Sequence, residues 1–130
     1  MKANNLIAIG AISGLICVAL GAFGAHGLKN VLGDYLLGVF NTGVQYQAWH
    51  SLALIACAIV MKTSVSDKAK KGLFISAICF IIGILCFSGS LYALALTGIK
   101  WFGPITPFGG LMFMIGWGML AYSALKIDAR

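Results

Sequence analysis

Four stretches of the chain stay apolar for long enough to cross a bilayer, and short polar segments divide them. They cover residues 6–25, 41–61, 72–96 and 107–125, each close to the ~20 helical residues that span a hydrocarbon core. Small residues recur along them at helical spacing. Gly10, Gly14, Cys17, Gly21 and Gly24 fall on one face of the first stretch and include a GxxxG. Gly72, Ser76, Cys79, Gly83, Cys86, Ser90 and Thr97 share a face of the third. Gly109, Gly116 and Ser123 share one of the fourth, with Trp117 beside them. Such stripes let two backbones approach closely, the usual packing device where lipid removes the hydrophobic drive between helices. The pattern predicts an all-α fold, a four-helix transmembrane bundle forming a single integral membrane domain over the 130 residues.

The second stretch is unlike the others. Its first half carries Asn41, Thr42, Gln45, Tyr46, Gln47 and His50. At about 100° per residue, Asn41, Thr42, Gln45, Tyr46 and His50 share one half of the helix, while Gln47 points away from His50. Counted back from Lys62 at ~1.5 Å per residue, His50 lies ~18 Å into the membrane. On the third stretch Ser88 and Ser90 fall between His50 and the outer surface, with His26, Tyr92 and Thr106 at the rim. The polar side chains therefore form a layer in the outer half, above an inner half of Leu, Ile, Ala, Cys and Met.

The connections carry their own signals. Gly27 follows His26 where a helix would end, and suits a left-handed C-terminal position. Residues 29–40 are too polar at the start and too short to span, and read as a short interfacial segment between spans one and two. Residues 62–71 form an ordinary solvated loop. Thr106 followed by Pro107 reads as the cap and first residue of span four. The first apolar run exceeds the ~7–15 residues of a signal-peptide core, so span one is expected to be retained. With four spans, Lys2, Lys62, Lys68, Lys70, Lys71, Lys126 and Arg130 share a side, and only Lys29 and Lys100, of nine basic residues, lie on the other. The positive-inside rule then places both termini in the cytoplasm.

Composition supports the membrane reading: 61% of residues are hydrophobic and 9% charged, where a soluble chain carries roughly 25% charged. The net charge of +6 does not point to nucleic acid, because no basic stripe interleaved with aromatics is present. Cys17, Cys57, Cys79 and Cys86 all lie in apolar runs without a CxxC or zinc spacing, and read as packing residues rather than a metal site. No Asp or Glu falls in any span, so the carboxylate that carries protons or cations in small transporters is missing. Nor is there a GxSxG, an HExxH or a carboxylate pair. No catalytic residue and no cofactor are expected.

The outer layer admits two readings. In one, Gln45, Tyr46 and His50 bond to Ser90 or to backbone near the glycines and fix helix packing. In the other, the same residues line a pocket open to the outer face, with His50 as an ionisable group inside the membrane.

The motifs GAFGAHGLK, YQAWHSLAL, FSGSLYALALTG, ITPFGG and GWGML, in that order from about Gly21 to Leu120, carry a resemblance. The chain resembles the YgdD/YwdK group of small bacterial membrane proteins, a family of unknown function. The positions that match its pattern are Gly21, Gly24, His26 and Gly27; Tyr46, Gln47 and His50; Ser88, Gly89, Ser90 and Tyr92; and Thr106, Pro107, Gly109, Gly110, Gly116 and Trp117. The resemblance implies a four-span protein and brings no established activity. The expectation is a non-enzymatic multi-pass protein of the bacterial inner membrane. Its polar layer packs helices and meets a membrane partner, as a homo-oligomer or in a larger complex; the alternative is a small-molecule or lipid binder or transporter.

Overall fold

In the computed structural model, which describes residues 2–128, helices account for all the regular structure of the described residues. α1 runs over Ala3–His26, α2 over Asp34–Met61, α3 over Asp67–Gly83, α4 over Gly89–Thr97 and α5 over Ile105–Ala124. A five-residue π turn, Ile84–Ser88, joins α3 to α4, so that Asp67–Thr97 forms one continuous span of 31 residues. With α1, α2 and the α5 unit this gives four helices long and apolar enough to cross a membrane.

Packing runs in chain order. α1 lies on α2, α2 lies on both α3 and α4, and α5 lies on α3 and the π turn, without extensive contact between α1 and α5. The arrangement is an open row rather than a closed ring. The two middle spans are accordingly the more deeply buried, and the two end spans give most of their surface to lipid. The larger core cluster gathers Leu6, Leu54, Cys57, Leu73, Phe80 and Phe113; a smaller one of Leu28, Phe40 and Ala95 closes the end near the α1–α2 connection.

The third and fourth spans show why small residues are needed. Gly72, Ser76, Cys79 and Gly83 are all buried, and the Ser76 hydroxyl donates to the carbonyl of Gly116 at 2.9 Å. A methyl group at Gly116 would come within 2.6 Å of the Phe80 ring, one at Gly83 would run into Phe113, and one at Gly109 into the backbone of Phe87. The stripe stops at the π turn, whose extra residue rotates α4 relative to α3: Cys86 is half-buried and Thr97 exposed, though Ser90 stays buried. On α1, Gly10 faces Ile55 and the Ser51 carbonyl, Gly24 faces the Phe40 ring at 3.0 Å, and Gly21 faces Val44 at 3.5 Å. Gly14 meets nothing within 4 Å and is not a packing position between these helices.

Three expectations about helix ends need correction. Gly27 has φ −72°, and the left-handed glycine is Gly98, φ +69°, closing α4. The chain after α1 continues with a further turn, Val31 and Leu32 donating to Leu28, so no change of hand is needed there; Gly27 instead leaves room for the Phe23 ring. The segment expected over residues 29–40 is shorter than its bounds suggest. Residues 34–40 are the opening turns of α2, pinned by the fully buried Phe40. Thr106 does not cap α5, which starts a residue earlier behind Pro104. Arg130, used in the charge count, lies outside the described residues.

Candidate functional site

Because α2 has neighbours on both sides, its polar residues divide between two systems. The first faces α1 and α4 and centres on Gln47, which is 4% exposed. Its Nε2 donates to the Ser13 carbonyl at 3.0 Å and the Ser13 hydroxyl at 3.2 Å, and its Oε1 accepts from the Tyr92 hydroxyl at 2.6 Å. Ser51 donates to the Gln47 carbonyl at 2.6 Å, so the 2.7 Å contact between Ser13 and Ser51 must have Ser13 as its donor. Nearby, Ser88 donates to the Gly43 carbonyl at 2.7 Å and the Cys17 thiol to that of Val44 at 3.2 Å.

The second system faces α5 and centres on His50, 3% exposed. Trp117 donates its indole N–H to Nε2 at 2.9 Å, while Nδ1 lies 2.7 Å from the Tyr46 carbonyl. An indole only donates and a carbonyl only accepts, so the ring is the neutral tautomer with its hydrogen on Nδ1. Phe113 stacks on it with centroids 3.6 Å apart and 12° between planes, and Phe80 and Trp117 pack at steeper angles. Tyr46 continues the aromatic run, its ring 4.6 Å from that of Phe87 and 5.0 Å from that of Trp49.

Ser88 and Ser90, two positions apart, point to opposite neighbours: Ser88 to α2, and Ser90 to α5. Ser90 spends its hydrogen on the Phe87 carbonyl at 2.9 Å and so accepts from Thr106 at 2.6 Å. His50 therefore does not bond to Ser90, and neither does Tyr46. Of the expected site residues, Gln47, His50, Ser88, Ser90, Tyr92, Tyr46 and Thr106 are buried or half-buried. Gln45 and His26 are exposed and belong to neither system. The helical wheel misplaces Gln47 because it assigns α2 a single buried face. Two further members, Ser13 and Trp117, are not among the expected site residues. Ser13 had a signal: it is a hydroxyl in an otherwise apolar span, beside Gly10 and Gly14.

Both systems open sideways. A groove of about 360 Å³ between α1 and the third span has Gln47, Tyr92 and Ser13 among its lining, under walls of Ile and Leu. On the other side of α2 a groove of about 890 Å³ is lined by Tyr46, Trp49, His50, Phe87, Met114 and Trp117, among others. The Ser88 and Ser90 hydroxyls donate to backbone carbonyls, so neither is paired with a base. Among the described residues, no three His, Cys, Asp or Glu side chains gather as metal ligands.

Residues 20–110, which include Gln47, His50, Ser88, Ser90 and Tyr92 but not Ser13, Phe113 or Trp117, match the family described as Protein of unknown function (DUF423). The chain belongs to this family. It is 44% identical over 123 residues to a UPF0382 membrane protein of Haemophilus influenzae, covering 95% of each chain. It is 38% identical over 130 residues to the UPF0382 inner membrane protein YgdD of Escherichia coli, covering 100% of this chain and 96% of that one. With YwdK of Bacillus subtilis, a UPF0382 membrane protein, identity is 43% over 122 residues, 92% and 95% of the two chains. No solved structure matches. Family membership and four spanning helices together make this a multi-pass inner-membrane protein.

Proposed function

We propose that this chain is a non-enzymatic membrane scaffold, with both termini in the cytoplasm, that presents the open sides of its helical row to a membrane partner, a second copy or a larger complex. The observation that carries this reading is saturation. Among the described residues no buried side-chain nitrogen or oxygen lacks a hydrogen-bond partner. Polar groups that satisfy one another hold helices in register, and they leave His50 no free nitrogen with which to act as a base. Seven basic residues on the loop-and-termini side support the orientation. The test is co-expression of two differently tagged copies, followed by mild solubilisation of native membranes. Recovery of both tags together, or of one tagged chain at constant stoichiometry with other membrane subunits, is the expected result; a monodisperse single chain overturns the reading.

A second reading is favoured by the larger groove. Its lining holds the Tyr46 hydroxyl, which has no hydrogen bond among the described residues, within a run of aromatic rings. That combination suits a small amphipathic molecule or lipid entering from the bilayer. An extract of native lipids that raises the melting temperature of the wild type but not of a Trp49→Ala variant would support it over the scaffold.

A further inference from the structure

At the opposite end of the molecule from the Gly98 turn, two lysines distant in sequence converge on one ring. The Lys68 ammonium lies 6.0 Å and the Lys126 ammonium 5.7 Å from the centroid of Tyr122. Ser66 fixes this junction. Its side chain caps α3 by accepting from the Ala69 N–H at 3.1 Å and donates to the Lys126 carbonyl at 2.6 Å, while its N–H donates to the Ile127 carbonyl at 3.0 Å. Ser66 is 4% exposed, so the start of α3 is clamped to the end of α5 and both lysines stay beside Tyr122. Asp67 and Asp128 are the adjacent acids, yet neither lysine makes an ion pair among the described residues. A single aromatic ring compensates two cations at this distance only weakly.

An apolar track leads away from the pair. Leu111, Ile115, Gly118 and Tyr122 share one exposed face of α5. Gly118, which has nothing within 4 Å of its Cβ position, leaves a furrow in that face. Ile75, on the Lys68 face of α3, is exposed as well. An exposed apolar helix face that ends at two ammonium groups without a carboxylate partner matches the polarity of a phospholipid, and basic pockets at the cytoplasmic ends of helices suit anionic headgroups. We propose that Lys68, Lys126 and Tyr122 bind the phosphate of an anionic phospholipid whose acyl chain lies along Ile115 and Gly118. This lipid site rests on the cytoplasmic orientation proposed above, and not on the scaffold role.

The full-length chain, purified in a zwitterionic detergent, is mixed with phosphatidylglycerol or phosphatidylcholine of matched acyl chains, and retained lipids are counted by native mass spectrometry. The wild type is expected to keep phosphatidylglycerol in preference. Lys68→Gln with Lys126→Gln should lower that preference about five-fold per lysine, the contribution of one basic side chain near an anionic surface. Lys68→Arg with Lys126→Arg should retain it, and so should Lys100→Gln on the far side. Equal retention of the two lipids by the wild type overturns the proposal, as does undiminished preference in the double Gln variant. If the Gln pair does not fold, loss of preference in the folded Arg pair overturns it too. In a parallel arm, sodium phosphate replaces sodium chloride at equal ionic strength. Displacement of bound phosphatidylglycerol by phosphate assigns the site to the free anion and rejects the lipid; persistence of the lipid supports it.

Discussion

Trp117 gives its one N–H to Nε2 of His50 at 2.9 Å, tying the last span to the second across 67 positions of sequence. The bond fixes the tautomer of the histidine and presses its ring flat on Phe113, so that α2 and α5 meet directly although each packs mainly on the third span. Its worth is measurable. A double-mutant cycle of Trp117→Phe and His50→Phe, both of which keep a ring in place, should give a coupling of about 1 kcal/mol in reversible unfolding from micelles. Strict additivity would mean that the bond contributes nothing to stability.

Gln47 and Gln45 lie two positions apart and should behave oppositely. Gln47→Leu strands the Tyr92 hydroxyl and removes both bonds to Ser13, and should cost about 1–3 kcal/mol. Gln45→Leu alters an exposed position and should stay within about 0.5 kcal/mol. Melting temperatures of the two variants in one detergent make the comparison; equal losses would remove Gln47 from its central place.

The glycines sort in the same way. Alanine at Gly109 must displace the Phe87 backbone, which cannot swing aside as a side chain can, and should cost about 1–3 kcal/mol or more. Alanine at Gly14 enters open space and should be neutral or slightly stabilising, because it favours the helix. Thermal stability of the pair in parallel is the measurement.

Orientation can be read by labelling. In a chain whose native cysteines are replaced by alanine, Lys100→Cys should react with an impermeant maleimide on intact cells, and Thr63→Cys only after permeabilisation. The reverse pattern would place the termini outside.

How much of this was legible in the residues depends on what each feature needs. Apolar length alone specifies a spanning helix, so four of them can be read directly. Small residues at helical spacing specify a close approach, and those of the third and fourth spans sit against one another. A wheel cannot say how many neighbours a helix has, and it therefore turned Gln47 outward and brought Gln45 in. The π turn at Ile84–Ser88 has no compositional mark, since its one added residue is accommodated by tertiary contacts on α2 and α5. The partner of His50 was in view only as a motif residue, because the bond to Trp117 depends on how the fourth span is rotated.

The row of helices has a further effect on the first span. α1 packs chiefly on α2, and its side-chain hydrogen bonds to that part of the chain are few: Ser13 to Gln47 and Ser51, Cys17 to the Val44 carbonyl, and Asn4 with Lys62 just beyond α2. Swinging α1 aside like a door would uncover Gln47 and Tyr92 without parting any contact between α3 and α5. Ser13, bonded to both Gln47 and Ser51, is thus the residue through which the first helix is fastened over the polar centre of the second.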